Sequence, residues 1–517
     1  MPTCATQEKI VERVSISNLF LPVPDTDFRD FLEEVDELRK FTPEIIDAIE
    51  TDLDIHAKEK KKLRLADKDF FASQTCDLPG VDIEGQEILS NELELFYGRP
   101  RMPAYLVYLF VMIQGFLGGT LASKQSRRFL YESMNLYSLF QSRGRKMPGI
   151  TTILENVNVV SDATRDLIFN KQIELILKED LDDFRKLTID STTVKANSCW
   201  PTDARILTGL LMRANRLGQK LHIFGLEDFR QGWVPRWLKE MDKLEFQICM
   251  VAGKPKSKGK LKKHYRRLLK RGRKAADYLA EELKRFEQNL LIGALPPSRR
   301  AFLQRVVQQI KTDIVDGNRV IEYANDRVFS GKVLPSTEKV LSLSDGSAAY
   351  IKKGSRNAVI GYKPQLIRSE NGFVTSLIVP QGNASDSVEL APAISDSMKR
   401  TGIIADLVST DDGYASAEGY KEVLSMGVKD VSISGAKGKK LTNELDWESD
   451  VYRDARRNRS AVESLMFTIK DGFEFGELGR RGLEPVRAEL MEKVLAYNCC
   501  RIILMKKRRR KELEKAA

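Results

Sequence analysis

Histidine is nearly missing from this chain, with three residues in 517, and cysteine is scarce. The six cysteines, Cys4, Cys76, Cys199, Cys249, Cys499 and Cys500, are scattered and form no C-x-x-C pair. Such usage argues against a structural zinc site and for a reducing, cytoplasmic setting. No segment is long and apolar enough to span a membrane. The most apolar run, Ala104 to Gly118, is short and contains Gln114, so it reads as a buried helix. The N-terminus lacks the basic-then-apolar layout of a signal peptide. No Ser-His or Cys-His signature of a protein nucleophile is found, and Gly435-Ala436-Lys437-Gly438-Lys439-Lys440 lacks the P-loop pattern.

What remains is a globular composition, 42% hydrophobic and 30% charged, long enough for two or three domains. The net charge of +11 is clustered. Lys254 to Lys274 contains twelve Lys or Arg and no acid, and the C-terminus carries Lys506-Lys507-Arg508-Arg509-Arg510-Lys511. Clusters of this kind favour a polyanion, nucleic acid above all, although solvated helix faces also produce them.

Residues 1 to about 80 read as helical pieces without evident chemistry. A compact helical domain follows Leu93: Pro103 can start the apolar helix and Gly118-Gly119 can end it. Whether it is a helix-turn-helix reader is open. Phe184 to Ala196 reads as a strand with Asp190 in an unfavourable position, which invites a functional role, with an exposed strand-end Asp as the plain alternative. Residues 201 to about 331 form a long helical hairpin, judged by Leu261, Tyr265, Leu268, Leu279 and Leu283, then Leu303, Val306, Ile310 and Ile314. Strands are expected at Lys339–Leu343, Ala358–Ile367, Gly372–Val379, Ile403–Thr410 and Val428–Ser434. Asp386 with Glu389 has capping-box spacing. Asp411 and Asp412, between a buried strand and a Gly turn, stand where α/β sheets place their sites.

Near the end, Arg456 to Lys470 reads as an amphipathic helix. With Arg456 at zero and roughly 100° per residue, Arg459, Glu463 and Lys470 fall near ~300°, ~340° and ~320°. The apolar Val462, Leu465, Met466 and Ile469 occupy the adjoining arc. One helix thus buries a stripe and presents a carboxylate among cations, in the manner of either a charged surface helix or a site facing phosphate. Lys437, Lys439 and Lys363 are further candidates for phosphate contact.

Taken in order, these motifs resemble insertion-sequence transposases of the DDE class, of a bacterial ISNCY-like type. The resemblance covers about Leu93 to Lys470. It is carried by Tyr97-Gly98-Arg99-Pro100, Asp190-Ser191-Thr192-Thr193, Pro201-Thr202-Asp203, Gly361-Tyr362-Lys363, Gly382-Asn383 with Asp386, and Asp411-x-Gly413-Tyr414. The terminal helix is similar to the family's Y-x2-R-x3-E-x6-K signature through Arg459, Glu463 and Lys470, with Arg456 where Tyr is usual. Tyr452, one turn earlier, is a candidate substitute for the missing aromatic contact to DNA.

The resemblance implies an α/β fold: an RNase H-like mixed sheet, a helical N-terminal domain and a large helical insertion between the first and second catalytic Asp. The expected division is residues 1–165, then 180–200 with 340–475 as the catalytic domain, 201–339 as the insertion, and 476–517 as a basic C-terminal helix. It implies Asp190, Asp411 and Glu463 as catalytic residues and ligands of Mg²⁺ or Mn²⁺. It also implies double-stranded DNA, as terminal inverted repeats and target, as the partner of a homodimer or higher assembly, associated with the nucleoid. The D-x-G-Y register selects Asp411 over Asp412.

Overall fold

A computed structural model describes residues 26–75, 101–142, 146–198, 202–223, 234–291, 296–332, 334–335, 338–352, 357–442 and 448–516. The Tyr97–Pro100 motif, Pro201, Cys4, Cys76 and Cys199 lie outside the described residues. Helices α1 (Thr26–Phe41), α2 (Glu44–Thr75), α3 (Ala104–Phe116), α4 (Lys124–Glu132), α5 (Met134–Ser142), α6 (Ile150–Val157) and α7 (Asp162–Lys178) precede strands β1 (Lys186–Ser191) and β2 (Val194–Lys195). Next come α8 (Asp203–Ile223), α9 (Val234–Val251), α10 (Lys258–Leu291) and α11 (Pro297–Asn325), the last continuing as a π-helical turn, Asp326–Ser330. The remainder is β3 (Ala349–Ile351), β4 (Val359–Tyr362), β5 (Gln365–Ser369), β6 (Val374–Ile378), α12 (Asp386–Thr401), β7 (Leu407–Thr410), α13 (Ala417–Ser425), β8 (Asp430–Ile433), α14 (Ala436–Leu441), α15 (Asp450–Gly472) and α16 (Leu483–Ala516).

Two compact units divide the chain: Met1–His56, Pro100–Asn197 and Ile351–Ala517 form the first, Ala57–Arg99 and Ser198–Tyr350 the second. In the first, five strands form a sheet in the order β6-β5-β1-β7-β8. β1 runs parallel to β7, which runs parallel to β8, while β5 is antiparallel to both β1 and β6. Only β5 is therefore reversed. Leu187, Ile189, Ile367, Val408, Val431 and Ile433 pack with Leu390 and Ile394 of α12 and Val423 of α13. α15 packs on β1, β7 and β8, and its buried Val462, Leu465 and Ile469 stand outside that cluster, as expected of a helix on the other face.

Most of the N-terminal helices and the C-terminal helix group with the sheet in the first unit, while α2 from Ala57 onward groups with the second. The reason is the first half of α16, which is buried despite its charge. Glu489, Glu492, Lys493 and Asn498 have no exposed surface. Glu492 accepts from Gln114 Nε2 of α3 at 2.7 Å and from Arg165 Nε of α7 at 2.8 Å, and pairs with Arg480 at 2.7 Å. Asn498 exchanges two 2.9 Å bonds with the backbone of Val374 in β6. A buried carboxylate is tolerable only when so paired. A Cβ on Gly115 would lie 1.9 Å from Glu492 O, so α3 and α16 approach backbone to backbone.

In the second unit the expected helical periodicity holds. Leu207, Leu211, Met241, Leu244, Tyr265, Leu268, Val320 and Ile321 make one core among α8–α11. Arg213 pairs with Asp313 at 2.5 Å, and Asp67 accepts from Ser298 N at 2.8 Å in the first turn of α11. The expected strand Lys339–Leu343 is not one. Its carbonyls are bonded by side chains instead, Leu343 O by Arg213 at 2.9 Å and Val340 O by Tyr323 at 3.5 Å, leaving no ladder to form. The expected strand Ala358–Ile367 divides at Lys363-Pro364, where Pro lacks a donor: β4 pairs with β2, and β5 makes the hairpin with β6.

Candidate active site

The first two acids are brought together by strand register. β1 and β7 pair with Thr188 opposite Ser409. Carried two residues further, the same register sets Asp190, near the end of β1, abreast of Asp411, which follows β7. Strand alternation turns both away from Leu187, Ile189 and Val408, toward the face on which α15 packs. Asp190 Oδ1 accepts from Ser191 N at 2.7 Å, and Asp411 Oδ1 accepts from Gly413 N at 2.9 Å.

The turn after β7 separates two adjacent carboxylates by role. Asp412 Oδ1 accepts from Lys437 N and Gly438 N, both at 2.8 Å, and so caps the first turn of α14. This short helix stands where the sequence suggested a loop; Lys437 and Lys439 lie exposed on it. Among the described residues, the hydrogen bond found for Asp411 is the local turn bond from Gly413 N. Gly413 follows both acids closely: a Cβ there would lie 3.0 Å from Asp411 Oδ1 and 3.4 Å from Asp386 Oδ2, so those carboxylates would have to shift.

Asp386 needs correction. Ser385 occupies the N-cap position of α12, and Asp386 turns inward from the first helical turn. Its Oδ1 accepts from Gln365 Nε2 at 3.0 Å and pairs with Lys363 Nζ at 2.9 Å. Lys363 also donates to Ala384 O at 3.1 Å and is 8% exposed. It is therefore not a DNA contact, because its ammonium neutralises a buried carboxylate. Beneath this group Tyr414, fully buried, donates to Gln365 Oε1. Burial first, then the charges of Asp386, Asp190 and Asp411, push its phenol well above the ordinary value, so it remains a protonated donor. Sequence reasoning missed Gln365 and the inward role of Asp386; the Gly361-Tyr362-Lys363 motif was the available signal.

On α15, Arg456 and Glu463 are exposed and Arg459 and Lys470 half-buried. Among the described residues no acid pairs with Arg456 or Arg459, and no cation with Glu463. Val462, Leu465 and Ile469 are buried as the wheel requires. Tyr452 is corrected: at 3% exposure it faces the protein, where burial, then Asp430 and Tyr420, push its hydroxyl up to about 12. The first turn of α15 is covered from the side by those groups, so the wheel drawn for the later turns does not describe it.

Residues 334–499 match the family model of the transposase DDE domain. That span is similar to a transposase DDE domain. Neither curated proteins nor solved structures gave a match. The matched span of the DDE domain includes Asp411 and Glu463 and begins after Asp190. No described helix is long and apolar enough to cross a membrane. Among the described residues no three His, Cys, Asp or Glu side chains stand close enough to hold a metal ion. Glu463 lies on the helix that packs on β1, β7 and β8 and forms no such group with Asp190 and Asp411. The donor type suits a hard cation: Mg²⁺ needs only one or two protein carboxylates beside water and phosphate oxygens, and Asp190 and Asp411 lie at the same ends of adjacent parallel strands.

Proposed function

We propose that this protein is a DDE transposase with an RNase H-like core, interrupted by the helices of residues 201–339, in which Asp190, Asp411 and Glu463 form the catalytic set. The observation that carries the reading is the placement of Asp190 and Asp411 abreast, at the ends of adjacent parallel strands, in a sheet ordered β6-β5-β1-β7-β8 with β5 alone reversed.

Asp190 and Asp411 would hold Mg²⁺ or Mn²⁺ through carboxylate oxygens, with Glu463 joining them on the DNA-bound protein. When bound, the metal lowers the pKa of water and offsets charge on the scissile phosphate. The chain's residues orient the scissile phosphodiester: Arg456, Arg459 and Lys470 hold the phosphates and screen them from the acids. Water attacks phosphorus, the P–O3′ bond breaks, and the transposon end leaves with a 3′-hydroxyl. That hydroxyl then attacks a phosphorus of target DNA, joining one strand and displacing another 3′-hydroxyl. Binding of two ends implies at least a dimer on DNA.

Further affinity comes from α10. Arg266, Lys270, Arg273 and Lys274 are exposed and line a groove of about 430 Å³ with Phe329. Among the described residues no acid pairs with them, whereas Arg267 and Arg271 pair with Glu240. The free cations repeat once per turn, suiting a row of backbone phosphates.

Labelled DNA carrying the flanking terminal repeats tests the proposal. Strand-transfer products dependent on Mg²⁺ support it. Asp190→Ala and Glu463→Gln should each remove cleavage while leaving binding intact. Hydrolysis without joining would reduce the reading to a nuclease, and cleavage surviving both substitutions would sink the site.

A further inference from the structure

A second concentration of charge lies in the first unit, on the other side of α15. A cavity of about 320 Å³ between β5, α15 and α16 is lined by Arg368, Arg501, Arg508, Tyr497, Ser464 and Thr468. Two of its cations bond to backbone carbonyls. Arg368, only 9% exposed, donates Nη1 to Ser369 O at 2.9 Å, and Arg501 donates Nε to Asn371 O at 2.6 Å. Among the described residues no carboxylate forms an ion pair with Arg368, Arg501 or Arg508.

The neighbouring acids are committed elsewhere. Asp182 accepts from Ser369 Oγ at 2.7 Å, Asn371 N at 2.9 Å and Phe184 N at 2.8 Å. Glu370 accepts from Lys186 at 2.9 Å. Burial pushes the Arg368 and Arg501 guanidiniums below their ordinary value, aided by Arg501 on Arg368 and by Arg508 on Arg501, and Tyr497 and Asp182 offset this only in part. Buried like charges cost stability unless an anion offsets them. Guanidinium forks at the wall of a cavity fit a tetrahedral oxyanion better than any neutral ligand.

We propose that this cavity binds a phosphoryl group, held by Arg368, Arg501 and Arg508. It is independent of the proposed catalytic acids: on α15 its lining residues Ser464, Leu465 and Thr468 fall at roughly 80–180° on the wheel, against ~340° for Glu463. The phosphoryl group comes either from a free anion such as pyrophosphate or from the backbone of bound DNA.

The test uses the full chain, with thermal unfolding in sodium phosphate, sodium pyrophosphate or sodium chloride at matched ionic strength, and with duplex affinity across a salt series. Phosphate or pyrophosphate should raise the midpoint beyond chloride, and half-saturation should weaken about tenfold in Arg501→Met and in Arg508→Ala. Arg508 is exposed, so its variant carries the test should Arg501→Met fail to fold. Unchanged duplex affinity in the variants would assign the site to a free anion. Weaker duplex binding, with the salt slope reduced by about one per arginine, would assign it to DNA. The proposal is overturned if the variants keep both the wild-type anion response and duplex affinity, or if chloride equals the other anions while duplex affinity is unchanged.

Discussion

In the first unit the proposed catalytic charge is negative and fixed in place: Asp190 and Asp411 sit at the ends of paired parallel strands, and Asp386 is held by Lys363 and Gln365. In the second unit it is positive, exposed and merely spaced, along one side of α10. The contrast follows from what each has to do. A reaction needs oxygens at defined positions, and a sheet holds them. Backbone phosphates repeat along a duplex, so a row of cations on one helix is enough, and no side chain needs to be locked.

The C-terminal helix breaks any simple link between basic sequence and DNA. Its Lys506 reaches Glu34 at 2.9 Å, Glu37 at 3.1 Å and Glu179 at 3.2 Å, and Lys507 reaches Asp30 at 2.6 Å. Those cations tie α16 to α1 and to Glu179, just past α7. The same residue type therefore holds the fold in one place and is presented outward in another.

Substitutions separate these roles. Asp411→Asn should reduce cleavage on the order of ten-thousandfold with duplex binding unchanged, measured by single-turnover kinetics and gel shift. Gly413→Ala forces a methyl against Asp411 Oδ1 at 3.0 Å; displacement of that carboxylate should cost about a hundredfold in cleavage, read in the same assay. Lys506→Met leaves Glu34, 5% exposed, without its ammonium, and should lower stability by about 2–3 kcal/mol in urea unfolding without altering the salt slope of DNA binding. Replacing Lys270, Arg273 and Lys274 by Gln should do the reverse: stability holds, while the slope of log affinity against log salt falls by about three. The smallest effect is expected for Asp412→Ala, which removes the cap of α14 and should cost about 1 kcal/mol with cleavage retained. Loss of cleavage in Asp412→Ala with activity kept in Asp411→Asn would reverse the assignment of the pair.

Much of this was legible in the chain. Period-2 and period-3.6 patterns located β7, β8, α10, α11 and α15, since burying one face imposes that spacing. The D-x-G-Y order marked the turn in which Gly413 fits. Other features carry no local signal. The inward paths of Asp386, Lys363 and Tyr452 depend on Gln365, Ala384, Asp430 and Tyr420, which lie well away from them along the chain. The burial of Glu489, Glu492 and Lys493 depends on α3, α7 and the turn before α16, so a helix that reads as basic and solvated is half a core element.

By itself, then, the sequence determined which residue types recur at helical and strand spacing and where acids and cations concentrate, because these follow from local periodicity and charge. Tertiary structure decided which charges are used up. Asp411 and Asp412 are neighbours with the same side chain, but α14 places its first amides against Asp412 and not against Asp411. Asp411 takes a single amide from its own turn, whereas Asp412 takes two from α14, and those partners are brought in by the fold.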